Sequence, residues 1–179
     1  MDVEQRAAIL DLLGRPEARA EDVQLPEAAV TAVYESISGP AGIQRERDWD
    51  RLRSLFLRGG RFTLDRWGAP DGTSQYVLRS WDVEGFIAAA RFFYRESGFY
   101  EWEIGPRVER FGHVAHVLST YESRIAPDGE PISRGINSVQ LVFDGARWWA
   151  ANLVFDIERP ENPIPGRYLP GASRPGAEG

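Results

Sequence analysis

Tyr34, Asp48 and Asp156 are the residues of this chain whose type and placement could do chemistry. A carboxylate inside an apolar cavity has its pKa raised toward neutrality, where it can exchange a proton with a substrate. Asp156 lies near the end of the last strand, and Asp48 stands at a helix start, where Asp is also a strong N-cap. Tyr34 reads equally as a core aromatic with a locally bonded hydroxyl. A second set is Ser119, Asn137 and Asn152, uncharged polar residues within apolar strands. An unpaired buried amide costs about 1–3 kcal/mol, so these three either bond one another or contact something that enters the cavity.

The elements that must position these groups are legible from periodicity. Residues 1–13 read as a short helix, followed by an acidic linker to Leu25. Pro26 suits a first helical turn, and Val30, Val33, Tyr34 and Ile37 share one stripe up to Gly39-Pro40. Asp48 caps a second helix through Phe56, which Gly59-Gly60 ends. Phe62–Asp65 alternates as a strand, and residues 75–79 continue extended. Asp82 caps a third helix with Phe86, Ile87, Ala90, Phe93 and Tyr94 on its buried face, closed by Gly98. Strands are predicted near 99–111, 114–124, 132–143 and 147–157. The chain then becomes rich in Pro and Gly. Boundaries follow as a helical extension at 1–25, one domain at 26–158 and a tail at 159–179.

Two turns fix which side chains share a sheet face. Asp144-Gly145, read as a two-residue hairpin loop, pairs Leu141 with Trp148, Asn137 with Asn152 and Gly135 with Val154. Ala126-Pro127-Asp128-Gly129, read as a type I turn with a Gly bulge, pairs Glu122 with Arg134, Thr120 with Ile136 and Ser119 with Asn137. It also lays Tyr121 over Gly135. One face then carries Ser119, Tyr121, Asn137, Trp148, Asn152 and Asp156, and this is the expected inner face. The other carries His116, Leu118, Ile136, Trp149, Leu153 and Phe155, with Glu122 facing Arg134. An apolar patch of that kind marks an interface unless the N-terminal helix or the C-terminal tail covers it, so a homodimer is expected.

Composition narrows the function classes. The chain has 179 residues, no Cys and a net charge of −6, and its 21 basic residues are all Arg, scattered among carboxylates. A nucleic-acid partner is therefore not expected. Two His and no Cys give no metal site, no Gly-rich segment has the strand-to-helix context of a phosphate loop, and no cofactor is expected. No apolar run is long enough for a membrane span and no signal peptide is evident, so the expected location is the cytoplasm.

The segments Arg45-Glu46-Arg47-Asp48-Trp49-Asp50, Phe111-Gly112-His113-Val114-Ala115-His116-Val117 and Gly145-Ala146-Arg147-Trp148-Trp149, in that order and spacing, resemble the nuclear transport factor 2-like superfamily, in its bacterial polyketide-cyclase-like (SnoaL-like) branch. The resemblance covers about residues 26–158. It implies an α+β fold in which three helices and a strongly curved, mostly antiparallel sheet enclose a conical cavity, with dimerisation through the outer sheet face. The superfamily includes ketosteroid isomerase, scytalone dehydratase, epoxide hydrolases, polyketide cyclases, transport adaptors and ligand binders, so the resemblance specifies fold more than function. Tyr34 resembles the first-helix tyrosine of ketosteroid isomerase, whereas the acidic partners of that enzyme have no counterpart on the inner face derived above.

Three readings follow. The first is a hydrophobic small-molecule-binding dimer using Tyr34, Trp49, Ser119, Tyr121, Asn137, Trp148 and Asn152. The second is a cofactor-independent lyase, isomerase or cyclase using Asp156 or Asp48 with Tyr34. The third is a dimeric interaction module whose cavity is filled by Tyr34, Trp49, Tyr121 and Trp148.

Overall fold

The computed structural model describes residues 5, 14, 16–42, 46–68 and 74–171, with the side chains of 65–68 and 74–77 excluded. Apart from Gln5, the helix expected at 1–13 falls outside the described residues, as does Arg45 of the first segment. The elements are α1 (Ala20–Val23), α2 (Pro26–Ile37), α3 (Trp49–Leu55), β1 (Phe56–Gly68), β2 (Ser74–Asp82), α4 (Val83–Phe93), β3 (Tyr100–Phe111), β4 (Val114–Arg124), β5 (Pro131–Phe143), β6 (Trp148–Ile157) and a 3₁₀ turn at Gly166–Tyr168. The fold is α+β, as expected.

Local chemistry accounts for the helix starts. Pro26 opens α2, where its missing N–H costs nothing. Asp48 accepts from Arg51 N at 3.1 Å and Asp82 from Gly85 N at 2.8 Å, so both cap as predicted. Val30, Val33, Tyr34 and Ile37 are all buried. The acidic segment expected as a linker contains α1, which docks on the core. Asp22 is 3% exposed and takes both Arg51 Nε and Nη2 at 2.7 Å. A buried carboxylate needs such a bidentate partner to offset its desolvation.

The sheet has the order β2-β1-β6-β5-β4-β3. β1 runs parallel to β6 and the other pairs are antiparallel, which makes the sheet mixed. The β4–β5 register is the predicted one: Ser119 faces Asn137, Thr120 faces Ile136, Tyr121 faces Gly135 and Glu122 faces Arg134. The Glu122–Arg134 ion pair does not form, because Glu122 binds Arg124 and Arg134 binds Glu158.

The β5–β6 register differs from the predicted one. Asp144 Oδ1 accepts from Ala146 N and Arg147 N, each at 3.0 Å, and Gly145 takes φ +97°. The loop therefore spans four residues and Phe143 pairs with Trp148. This shift of two keeps Trp148 and Ala150 inside. A bulge then inserts Ala151 between the Leu141–Ala150 and Gln140–Asn152 pairs, and one extra residue exchanges the two faces of everything after it. Val139 faces Leu153 and Asn137 faces Phe155. Leu153 and Phe155 thus lie inside, while Asn152 and Asp156 lie outside, the reverse of the expectation.

A second bulge occurs in β3. Near the β3–β4 turn Phe111 pairs with Val114 and Pro106 with Ser119, and beyond Ile104 the pairing becomes Glu103 with Tyr121 and Glu101 with Ser123. An unbroken ladder would have turned Trp102 and Ile104 inward. The bulge turns Glu101 and Glu103 inward instead. Gly105 and Pro106 mark the place: a Cβ on Gly105 would lie 2.7 Å from Tyr168 O, and Pro106 has no N–H to donate to the ladder, which an edge strand tolerates.

The outer face consequently loses two members of its expected apolar patch. Trp149 is covered within the chain, with the Arg147 guanidinium 3.7 Å from its ring and its Nε1 donating to Asp144 at 2.7 Å. The C-terminal segment crosses β3 and β4, where Thr120 Oγ1 donates to Tyr168 O at 2.7 Å. His116 lies on this face as predicted, 2.8 Å from Ser138 Oγ.

Candidate functional site

A cavity of about 520 Å³ lies under the concave face of the sheet. α2 contributes Val33 and Ile37, α4 contributes Phe86, Ala89, Ala90 and Phe93, and β1 contributes Phe62 and Leu64. Leu153, Phe155 and Ile157 of β6 complete an apolar wall, with Trp81 of β2. The polar groups on the lining are Glu101, Asn137, Ser133 and the phenols of Tyr94 and Tyr121. Among the described residues, Glu101 is the one carboxyl on the wall, and no Arg or His lines it.

Burial pushes the Glu101 carboxyl up to about 8, and a hydrogen bond from Asn137 opposes part of that rise. Asn137 Nδ2 stands 3.4 Å from Glu101 Oε1, a long contact, and donates more closely to Tyr34 Oη at 2.9 Å. Tyr34 in turn donates to Ser119 Oγ at 2.7 Å. Ser119 Oγ in turn donates a hydrogen bond to Glu103 Oε2. Burial raises Glu103 too, with the Ser119 hydrogen bond opposing and the charge of Glu27 adding to the rise. One hydrogen-bonded chain therefore links the two glutamates through Asn137, Tyr34 and Ser119.

The structure places the predicted site residues in six different settings. Asn137 and Tyr121 line the cavity. Tyr34 and Ser119 sit behind it, satisfied within the chain just described. Trp148, 1% exposed, is core packing between Phe143, whose ring is 5.4 Å away, and Arg110, 4.9 Å from its own. Trp49 lines a separate cavity of about 400 Å³ with Arg47, Arg91 and Tyr94. Asn152 and Asp156 are on the outer face because of the β6 bulge. Asp156 accepts from Ile157 N at 2.8 Å and from Asn162 Nδ2 at 3.0 Å, and it pairs with Arg159. Asp48 is a cap that also holds Arg19 at 2.7 Å. The polar row of three thus reduces to Ser119 and Asn137, bridged by the Tyr34 hydroxyl.

Sequence reasoning missed Glu101, Glu103 and Tyr94 as polar groups of the interior. Two signals in the sequence mark the strands whose faces were exchanged. Gly105-Pro106 inside a strand announces a bulge, and Leu153, Phe155 and Ile157 alternate with Asn152 and Asp156 in the pattern of a strand whose odd-numbered side chains are inside.

No protein-family model matches the chain, and no curated protein does. Solved structures do. A protein of unknown function from Mycobacterium tuberculosis is 16% identical with a TM-score of 0.55, over 87% of this chain and 75% of that one. A candidate dehydratase of the nuclear transport factor 2-like family from Streptomyces avermitilis is 15% identical with a TM-score of 0.54, over 77% and 96%. A candidate ketosteroid isomerase from Parabacteroides distasonis is 10% identical with a TM-score of 0.51, over 82% and 98%. These likenesses show the fold, which is nuclear transport factor 2-like.

Proposed function

We propose that the cavity binds a hydrophobic small molecule and that Glu101 moves a proton on it, so that the chain acts as a cofactor-independent lyase, isomerase or cyclase. The observation that carries this reading is a carboxyl, the one on the apolar wall among the described residues, whose pKa burial pushes up to about 8. A carboxylate with that affinity for protons is a stronger base than one in water and still ionises near neutral pH. Asn137 orients it. Asp156 and Asp48 have no part in this reading, since one faces outward and the other caps α3.

Two measurements test the proposal. The carboxyl carbon of Glu101, followed by NMR, is expected to titrate near pH 8, and a midpoint near 4.5 would remove the base. Enolisable cyclic ketones in D2O are expected to exchange their α-protons faster with the protein than with Glu101→Gln. Binding of these ketones without accelerated exchange by any of them would leave a binding protein in place of an enzyme. Homodimerisation through the outer face stands on narrower ground, the exposed Val154 beside Leu118 and Ile136. Sedimentation at micromolar concentration checks it.

A further inference from the structure

The second cavity, of about 400 Å³, is built where the start of α3 meets the end of α4. Trp49 is the first residue of α3, Arg91 and Phe92 belong to the last turn of α4, and Tyr94 and Arg95 follow just beyond it. Glu46 and Arg47 come from the connection between α2 and α3. A volume of this size falls in the range of small-molecule sites, about 300–1,000 Å³.

Charge separates this cavity from the one under the sheet. There, no Arg or His lines the wall among the described residues. Here, three guanidinium groups stand against one carboxylate, and that carboxylate, Glu46, is taken by Arg91 at 2.6 Å. Arg47 and Arg95 have no carboxylate partner among the described residues. Arg47 is also buried, at 7% exposure. Three of its five N–H groups go to the carbonyls of Ile37, Pro40 and Gly39, at 3.1, 3.1 and 2.8 Å, which fixes the fork but supplies no net negative charge. Burial lowers the Arg47 pKa from its ordinary value, since a guanidinium removed from water without a counter-ion is costly.

The rings around that cation offer flat apolar surface. The Arg47 guanidinium lies 4.1 Å from the centroid of Tyr94, and Trp49 stacks against the same ring at 6.4 Å and 8°. Phe92, on the same wall, is 72% exposed. Trp49 is 4% exposed, and its indole N–H has no acceptor among the described residues. Buried donors are rarely left unpaired, and one that is calls for an explanation. Cations without counter-charge and a donor without an acceptor are both deficits that an anion removes.

We propose that this second cavity binds a small organic monocarboxylate with a flat apolar body, its charge answering Arg47 and Arg95 and its body lying against Trp49, Tyr94 and Phe92. A carboxylate suits the wall better than a phosphate does. It is planar, like the guanidinium groups it meets, and its single charge is repelled less by Glu46. The proposal is independent of Glu101, which belongs to the other cavity.

The test titrates 2-naphthoate, naphthalene and inorganic phosphate against the full chain by calorimetry. 2-Naphthoate is expected to bind more tightly than naphthalene, and phosphate at equal concentration is expected not to displace it. Arg95 is exposed, so Arg95→Glu should keep the fold and weaken 2-naphthoate about 10-fold or more. Glu46→Gln removes the competing carboxylate and should strengthen 2-naphthoate about 2- to 5-fold, with naphthalene within about twofold in both variants. A merely structural role for these residues predicts no gain in Glu46→Gln. Thermal melts confirm that each variant is folded. A 2-naphthoate affinity no higher than that of naphthalene, an affinity within twofold of the unmodified protein in both variants, or displacement by phosphate overturns the proposal. None of these results touches the Glu101 reading, which ketone exchange tests separately.

Discussion

The β4–β5 ladder and the strands that flank it behave differently toward a sequence reader. Between β4 and β5 every predicted pair is found, from Ser119–Asn137 to Glu122–Arg134. On either side, β3 and β6 each carry a bulge, and each bulge exchanges the inner and outer faces. The β3 bulge brings in Glu101 and Glu103, and the β6 bulge sends Asn152 and Asp156 out. A strand's chemistry is therefore set by one residue's worth of register.

The sharpest way to break this comparison is a pair of adjacent substitutions in β6. Leu153 is 4% exposed and Val154 38%. Leu153→Asp is expected to cost about 3–5 kcal/mol or to prevent folding, because it desolvates a charge on the cavity wall. Val154→Asp should cost less than about 1 kcal/mol. Denaturant unfolding decides, and the opposite ranking would restore the register without a bulge.

The second test concerns the β3 bulge. Glu101 has a folded pKa of about 8 against an ordinary value of 4.5, so the folded chain holds its proton more tightly than the unfolded chain. Its contribution to stability is complete below about pH 4.5 and is lost as pH rises through about 8. Glu101→Gln cannot ionise, and the difference in unfolding free energy between variant and unmodified protein should grow by on the order of 2–4 kcal/mol across that window. Parallel curves would mean that Glu101 is solvated and the bulge has not buried it.

Smaller effects separate framework from site. Ser119→Ala leaves the Tyr34 proton and Glu103 without their partner and should cost about 1–3 kcal/mol, with the naphthalene affinity kept within about twofold. An unchanged melting temperature would place Ser119 outside any structural network. Asn152→Leu is expected to change stability by less than about 1 kcal/mol and leave ligand affinity alone, since Asn152 faces Gln140 on the outer side. Weakened binding in that variant would put Asn152 back in the cavity.

Helix positions, caps and the buried α2 stripe were legible because they depend on neighbours three or four residues away and on side chains that bond their own backbone. Pro26, Asp48, Asp82 and the Ala126–Gly129 turn needed no tertiary information. The Tyr121-over-Gly135 contact was equally legible, because a short turn and an unbroken ladder carry parity from one strand to the next.

The sequence by itself thus determined the α+β class, the order of α2–α4 and the six strands, the β4–β5 register and the pairing of Ser119 with Asn137. Only the tertiary structure decided which carboxyl enters the cavity. A bulge is stabilised by long-range packing: in β3 the Tyr168 carbonyl sits where a Gly105 side chain would be, and in β6 the apolar set Leu153 and Phe155 reaches the cavity wall. Neither partner is near in sequence to the residue it turns. Burial then raised Glu101, and packing left the Trp49 indole N–H without an acceptor among the described residues, because desolvation and hydrogen-bond satisfaction belong to the assembled interior and not to any one segment.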